Sequence, residues 1–260
     1  MNNKNAFIFF GQVKNYNITQ HEQFVKYVSS AYSDSSIDYY LITTKSNKYY
    51  SSRQKENNNI DYNSMNKFFN FKNIIYDDIP NKIEEFKEFA NYLVNNLQFA
   101  PWGKDSLNST INSLKQIYSL NYFYNWFSNK YTEYTNFIMA RSDLFYTSKL
   151  ILPNPIEQNS IYVPSWGHYS PYKRTGGCND RFCILTGRDV LKIYCERYAN
   201  LRLNPEKYHA EQYLQNTLIK NNIKYKQLNN FNFSLIRSNN KIYSMCGRHI
   251  DEKLTKLYYN

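Results

Sequence analysis

Residues 6–10, AFIFF, are a short unbroken apolar run that stops at Gly11. A run of that length closed by glycine predicts a buried parallel strand ending in a tight loop. In HEQFVKYVSSAY (21–32) the apolar positions 24, 25, 28, 31 and 32 make a helical stripe. IDYYLITT (37–44) is β-branched and aromatic and predicts a second strand. Strand, loop, helix and strand at this spacing form the start of a βαβ unit, which points to an α/β fold around a parallel sheet.

The pattern weakens over 45–70, a polar, Asn-rich stretch that reads as a long loop or insertion. NIIY (73–76) predicts a short third strand, and PNKIEEFKEFANYLVNNL (80–97) an amphipathic helix with Pro at its start and Glu in its first turns. LNSTINSLKQIYSLNYFYNWF (107–127) carries apolar residues at 107, 111, 114, 118, 122 and 126, so one long helix with one buried stripe is expected. TNFIMARSDLFY (135–146) then runs apolar residues straight into Arg141-Ser142-Asp143. Charge at the end of a buried strand marks the side of an α/β sheet where ligands bind. Residues 149–175 are Pro-rich and loop-like, with a strand expected at IYVPSW (161–166). Helices are expected over 188–199 and 209–222, and a last strand over FSLIR (233–237). The tail, 239–260, is basic and poorly patterned. With no repeat and no clean linker, the chain reads as a single Rossmann-like domain, residues 1–147 forming one half and 148–260 the other.

Composition changes this picture in two ways. Hydrophobic residues make up 42%, enough for a core, and 27 Tyr and 17 Phe supply much of it. The accompanying richness in Asn, Lys and Ile is what an AT-rich coding sequence produces and says little about function. Net charge is +11 and uneven: residues 151–260 carry 16 Lys and Arg against 8 Asp and Glu, residues 1–150 carry 16 against 13. A basic half calls for an anionic partner such as a nucleoside diphosphate, a nucleic acid or a lipid surface, unless it is simply a solvated surface. The four cysteines form no CxxC pair and have no His at zinc-site spacing, so buried free thiols are expected. No apolar run reaches the ~18–20 residues that span a bilayer. A cytoplasmic protein without a transmembrane segment follows as an expectation.

Four places combine a loop position with capable side chains. Gly11-Gln12-Val13-Lys14 follows the first strand, where glycine admits a close ligand and Gln12 and Lys14 offer donors; it is not a GxGxxG fingerprint, and no GxxxxGK[ST] loop occurs. Arg141 and Asp143, two residues apart at a strand end, point to the same side; the carboxylate suits a divalent metal and the guanidinium a phosphate. In 174-RTGGCNDRFCILTGRD-189 the adjacent Gly176 and Gly177 permit positive φ, Asn179, Asp180 and Arg181 follow, and Gly187 closes the stretch. Asp180 there is a candidate general base, with Arg181 to hold it ionised or to bind phosphate. Tyr208-His209-Ala210-Glu211 lies at a helix start, where His209 and Glu211 are candidate ligands for substrate or metal. Each of the four also has an ordinary structural reading as turn, cap or salt bridge.

The order of these four sites resembles that of a set of glycosyltransferases with a GT-A-like fold, found in bacterial polysaccharide loci, algae and large DNA viruses. Their chain opens on a strand and a GQ[LVM]R turn, a strand ends RxDLxF, a loop reads G.NDRF and a helix begins H.E..L. The counterparts here are 11-GQVK-14, 141-RSDLF-145, 177-GCNDRF-182 and 209-HAEQYL-214, spread over residues 6–237. The resemblance implies transfer of a sugar from a nucleotide-sugar donor to a glycan or other hydroxyl acceptor. It implies substrate contacts from Gly11, Gln12, Lys14, Arg141, Gly177, Asn179, Arg181 and His209. It also implies Mn²⁺ or Mg²⁺ on Asp143, and a base at Asp180 or, second, Glu211. Two departures stand out: Arg141 occupies the place of the first Asp of the usual DxD metal motif, and Lys14 replaces the usual Arg. Trp102, Trp166 and His168 lie in expected loops and are candidates to stack on an acceptor sugar. Two other readings compete. One is an inactive scaffold of the same fold. The other is a basic, aromatic nucleic-acid binder, against which stand the core positions of most aromatics and the lack of any RRM, KH or zinc-finger pattern, so no nucleic-acid partner is expected.

Overall fold

The computed structural model describes residues 4–32, 36–51, 56–166, 177–243 and 251–259. Its first half contains β1 (Lys4–Phe10), α1 (Ile18–Tyr27), β2 (Ile37–Thr43), β3 (Lys48–Ser51), β4 (Glu56–Asn59), β5 (Phe71–Tyr76), α2 (Ile83–Asn91) and α3 (Ser106–Phe127). The remainder contains β6 (Tyr134–Arg141), β7 (Leu144–Tyr146), β8 (Ser160–Pro164), β9 (Phe182–Thr186), α4 (Arg188–Cys195), α5 (Arg197–Leu203), α6 (Ala210–Lys220), β10 (Lys224–Leu228), β11 (Phe233–Ile236), β12 (Ile242–Tyr243) and α7 (Glu252–Tyr259).

Seven strands form the central sheet in the order β10-β8-β9-β6-β1-β2-β5. Every pairing is parallel except those of β9, which runs antiparallel to both β6 and β8. The α/β class with a mostly parallel sheet flanked by helices is therefore as expected. β1 and β6 sit side by side at the centre, and the chain leaves β1 toward β2 and β5 but continues from β6 toward β9 and β8. Their carboxyl ends thus form the topological switch point, the crevice where open α/β sheets hold ligands. Because β9 is reversed, its beginning, and with it Asp180-Arg181, lies at that same edge.

One apolar cluster covers the sheet face that meets α3, α4 and α6, with Phe10, Tyr40, Phe123, Phe127, Met139 and Leu185 all fully buried or nearly so. A second covers the opposite face, from Phe7, Phe9 and Phe24 to Tyr146, Phe182 and Phe231. Most of the aromatic excess goes into these two layers, as edge-to-face and tilted pairs such as Phe7–Phe24 and Tyr40–Phe127.

Several elements differ from the sequence pattern. The 45–70 stretch is not one long loop: β3 and β4 pair as an antiparallel hairpin. Helix α3 buries more than the single expected stripe. Leu120, Phe123 and Phe127 meet the sheet while Leu114, Ile117 and Tyr118 meet α2 and α5, and Leu107 is left partly exposed. The expected 188–199 helix breaks at Glu196, where the Arg197 Nε donates back to the Tyr194 carbonyl at 2.7 Å, near the end of α4. The tail carries β12 and α7 rather than lacking pattern throughout. Cys178, Cys183 and Cys195 are buried free thiols as expected; Cys246 lies outside the described residues, as do Gly176 and His168.

Candidate active site

The site begins where β1 and β6 end. The Ser142 N–H donates to the Phe10 carbonyl at 2.9 Å, and its hydroxyl donates to the Gln12 carbonyl at 3.1 Å. Gly11 turns the chain at φ 90°, a backbone state that a side chain resists. These bonds bring two distant segments together. The Lys14 ammonium lies 3.0 Å from Asp143 Oδ2, and Arg141 grips the same carboxylate from the other side, Nε to Oδ1 at 2.9 Å and a terminal nitrogen to Oδ2 at 2.6 Å. Lys14 and Asp143 are buried, whereas about a fifth of the Arg141 side chain remains exposed. Burial pushes the Asp143 carboxyl up, but the Arg141 and Lys14 charges more than offset it and hold it well below the usual carboxylate range.

This arrangement changes two expectations. Lys14 does not reach out as a ligand donor: its ammonium is covered by the Tyr49 ring, 4.3 Å from the centroid, and is committed to Asp143. Gln12 likewise spends its amide on the Lys48 carbonyl at 3.1 Å. Both side chains therefore hold the β3–β4 hairpin over the strand ends. Asp143, for its part, does not fit the expected divalent metal. Both of its oxygens accept from cations, and among the described residues no three His, Cys, Asp or Glu side chains come together as a metal group. The cluster that results carries two cations and one anion.

Across β6 lies the second half. The Arg141 N–H donates to the Arg181 carbonyl at 2.9 Å, which joins the two halves through one backbone bond. The 177–180 segment is buried, not an exposed flexible loop. Gly177, at φ 82°, gives its N–H to Gln215 Oε1 at 2.9 Å, and the Cys178 N–H bonds the Glu211 carbonyl at 2.8 Å, so the segment is laced to α6. Asn179 is fully buried; its Oδ1 accepts the Arg181 N–H at 2.9 Å and its amide donates to the Trp166 carbonyl at 3.0 Å. Through these two bonds it shapes the turn. Gly187 serves a different purpose from Gly177: it begins α4 at φ 100°, where a Cβ would meet Asn159 Oδ1 at 3.0 Å.

Asp180, Arg181, His209 and Glu211 do come together. Arg181 reaches Glu211 Oε1 at 3.2 Å and Asp180 Oδ1 more loosely at 3.8 Å. His209 Nδ1 lies 3.1 Å from Glu211 Oε2, and its ring stacks on Trp102 with centroids 4.8 Å apart. Burial, and then the negative charge of Asp180, push the Glu211 carboxyl up to about 7; Arg181 pulls the other way and loses. Asp180 and Arg141 also interact electrostatically, so the acidic half feels the cationic one.

Three contributors escaped the sequence reading. Gln116 of α3 donates to Asp180 Oδ2 at 3.2 Å, from a helix that gave no sign beyond its apolar spacing. Arg197 is fully buried, its guanidinium stacked on the Tyr194 ring at 4.1 Å and its two terminal nitrogens without a hydrogen-bond partner, within the field of Asp180. Arg237 lies near enough to add to the charge on Asp143. Trp102 was noted as a possible sugar platform, but its face is taken by His209. Trp166 packs on Phe233 and donates to the Phe231 carbonyl, a core role.

No protein-family model and no curated protein matches the chain. Among solved structures, mouse xyloside xylosyltransferase 1 in its apo form is similar with 12% identity and a TM-score of 0.40, over 86% of this chain and 85% of that one. No described helix is long and apolar enough to cross a membrane.

Proposed function

We propose that the chain is a GT-A-like glycosyltransferase that moves a sugar from a nucleoside-diphosphate donor to a hydroxyl acceptor. The observation that carries this reading is the pairing of two opposite sites at one sheet edge. A cationic cluster, Lys14–Asp143–Arg141, adjoins an acidic cluster, Asp180–Glu211, through the Arg141–Arg181 backbone bond. Glycosyl transfer needs both: positive charge where the diphosphate leaves and a carboxylate where the acceptor loses its proton.

In this reading the acceptor oxygen attacks the anomeric carbon as the bond to the diphosphate oxygen breaks, and the bonding pair leaves with the diphosphate. Arg141 offers its exposed part to that charge, and Arg181, also about a fifth exposed, stands on the other side. Lys14 acts from below by offsetting Asp143, so that Arg141 is not neutralised by it. The acceptor proton goes to Asp180, whose Oδ1 is the least engaged carboxylate oxygen of the cluster. Glu211 holds Arg181, and burial with the charge of Asp180 beside it keeps its own carboxyl protonated up to about 7. Because Asp143 is already neutralised by two cations, the phosphate charge is assigned to arginine rather than to a metal.

Calorimetric titration with UDP, GDP, CMP and dTDP, each with and without Mn²⁺, tests this. One nucleotide is expected to bind, about equally well in both conditions, and to lose at least tenfold in affinity in Arg141→Ala, roughly the 1.4 kcal/mol of one charge-assisted bond. No binding by any of the four would overturn the reading. Binding that requires Mn²⁺ would return the phosphate role to a metal.

A further inference from the structure

The β3–β4 hairpin holds a group that the mechanism above does not use. Glu56 is 2% exposed, yet neither carboxyl oxygen has a hydrogen-bond partner and no described cation pairs with it. A bare buried carboxyl is costly, and native chains rarely keep one without cause.

Its place in the hairpin is informative. Glu56 pairs with Ser51, and Asn58 with Tyr49. Cross-strand partners share a face, so Tyr49, Ser51, Glu56 and Asn58 all turn the same way. That face is the inward one: Tyr49 covers the Lys14 ammonium, and the Asn58 amide donates to Ser238 Oγ at 2.9 Å. Lys48, Tyr50, Asn57 and Asn59, on the other face, are exposed. Diagonal neighbours on one face stand about 7–8 Å apart, which sets Glu56 one step along the hairpin from the residue that roofs the cationic cluster. The hairpin is also pinned, through Gln12 to Lys48 on the sheet side and Asn58 to Ser238 on the other. Glu56 is thus a buried carboxyl without a partner, held on a pinned hairpin beside the place assigned to the donor diphosphate.

We infer that Glu56 reads the donor sugar, its two oxygens accepting hydrogen bonds from neighbouring hydroxyls of the sugar ring. This rests on the transferase reading and adds to it a specificity-determining residue. A hydroxylated ring attached to the diphosphate brings a pair of O–H donors one sugar-width from the phosphates, which matches what the bare carboxyl lacks. A divalent cation matches it less well, since it would need several hard oxygens and among the described residues no three His, Cys, Asp or Glu side chains gather to hold one.

The test compares donors with their own leaving groups. UDP-glucose, UDP-galactose and GDP-mannose are titrated beside UDP and GDP into wild type and Glu56→Gln, both as the full chain. In wild type a sugar nucleotide is expected to bind more tightly than its diphosphate. In Glu56→Gln that advantage is expected to shrink at least tenfold while the diphosphate itself stays within about twofold. The apo variant is expected to melt at or above the wild-type Tm, because an unpartnered carboxyl has been replaced by a neutral group. A drop in Tm would mean that Glu56 has a structural partner, and would overturn the inference. So would equal losses for diphosphate and sugar nucleotide, or no loss for either. If wild type binds a diphosphate but gains nothing from the sugar, this inference falls alone; if it binds neither, the transferase reading falls with it.

Discussion

Asp143 and Glu211 are two buried carboxyls at one edge of one sheet, and they are pushed in opposite directions. Asp143 sits between Lys14 and Arg141 and stays ionised far into acid; Glu211 sits beside Asp180 and holds its proton up to about 7. Burial raises both, so burial does not decide the outcome; the sign of the nearest charge does. Asp143 meets two cations at 3.0 Å or less. Glu211 meets one, at 3.2 Å, and an acid on the same side. A site that must hold a diphosphate at one end and take a proton at the other needs this split.

The sharpest way to break the comparison is to remove the anion from the cationic half. Asp143→Ala leaves the Lys14 ammonium buried with no counter-charge, and loss of one partner of a buried pair costs about 3–5 kcal/mol. A urea midpoint lowered to match is expected. The double variant Lys14→Met/Asp143→Leu is expected to recover part of the loss, because the buried ammonium goes with its partner and only the part-exposed Arg141 is left without Asp143. A cost below about 1 kcal/mol in Asp143→Ala would show that water reaches Lys14 and that the two halves are not so different.

What was legible in the sequence divides along the same line. The strands β1, β2 and β6 and the helix α6 announce themselves through apolar runs and stripes, and the chemically capable residues stand out as polar groups at their ends. Their pairings do not. Lys14 and Asp143 are 129 residues apart, Gln116 and Asp180 are 64 apart, and no local pattern encodes either bond. The hairpin was missed because KYYS and ENNN lack the apolar alternation of a strand. It is held by what it covers, through Tyr49 on Lys14 and Asn58 on Ser238. β9, FCILT, was legible as a five-residue apolar run, but the glycines before it drew the reading toward a loop. Against the metal expectation for Asp143 stands the residue that made the motif irregular: Arg141, in the place of an acid, grips the very carboxylate that was to hold the ion.

The next effect is a pH slope. Glu211 has its folded pKa raised to about 7 from an ordinary value near 4.5. A raised carboxyl favours the folded state fully below about 4.5, and that contribution is lost as pH rises through about 7. A shift of this size corresponds to about 3 kcal/mol, since one unit is about 1.4 kcal/mol. Asp143 slopes the other way, contributing above its ordinary value near 4 and losing ground only in strong acid. Between pH 5 and 7.5 the wild type is therefore expected to lose stability on the Glu211 account alone, and Glu211→Gln to flatten that loss. Denaturant midpoints over this range measure it. A variant curve parallel to the wild type would mean that Glu211 is ionised throughout, held by Arg181 and His209, and that the two halves protonate alike.

The smallest effect tests whether the acidic half is tuned from a distance. Gln116 reaches Asp180 from α3 with one amide, 3.2 Å from Oδ2 and 3.4 Å from its backbone carbonyl. A donor to a carboxylate favours its charged form, and these distances are long, so the bond contributes about 1 kcal/mol. Gln116→Leu keeps the helix propensity and most of the volume of the side chain. Without that donor the carboxylate is less well held, and on the reading that makes Asp180 the base turnover is expected to fall by up to about fivefold, the scale of about 1 kcal/mol. The cationic half should not notice: diphosphate affinity stays as in wild type, since Arg141 and Asp143 keep their partners. Turnover equal to wild type would mean that Asp180 owes its placement to its arginine neighbours alone. A loss of diphosphate affinity with turnover unchanged at saturation would break the comparison from the other side, because it would mean that α3 supports the phosphate site and leaves the proton site to itself.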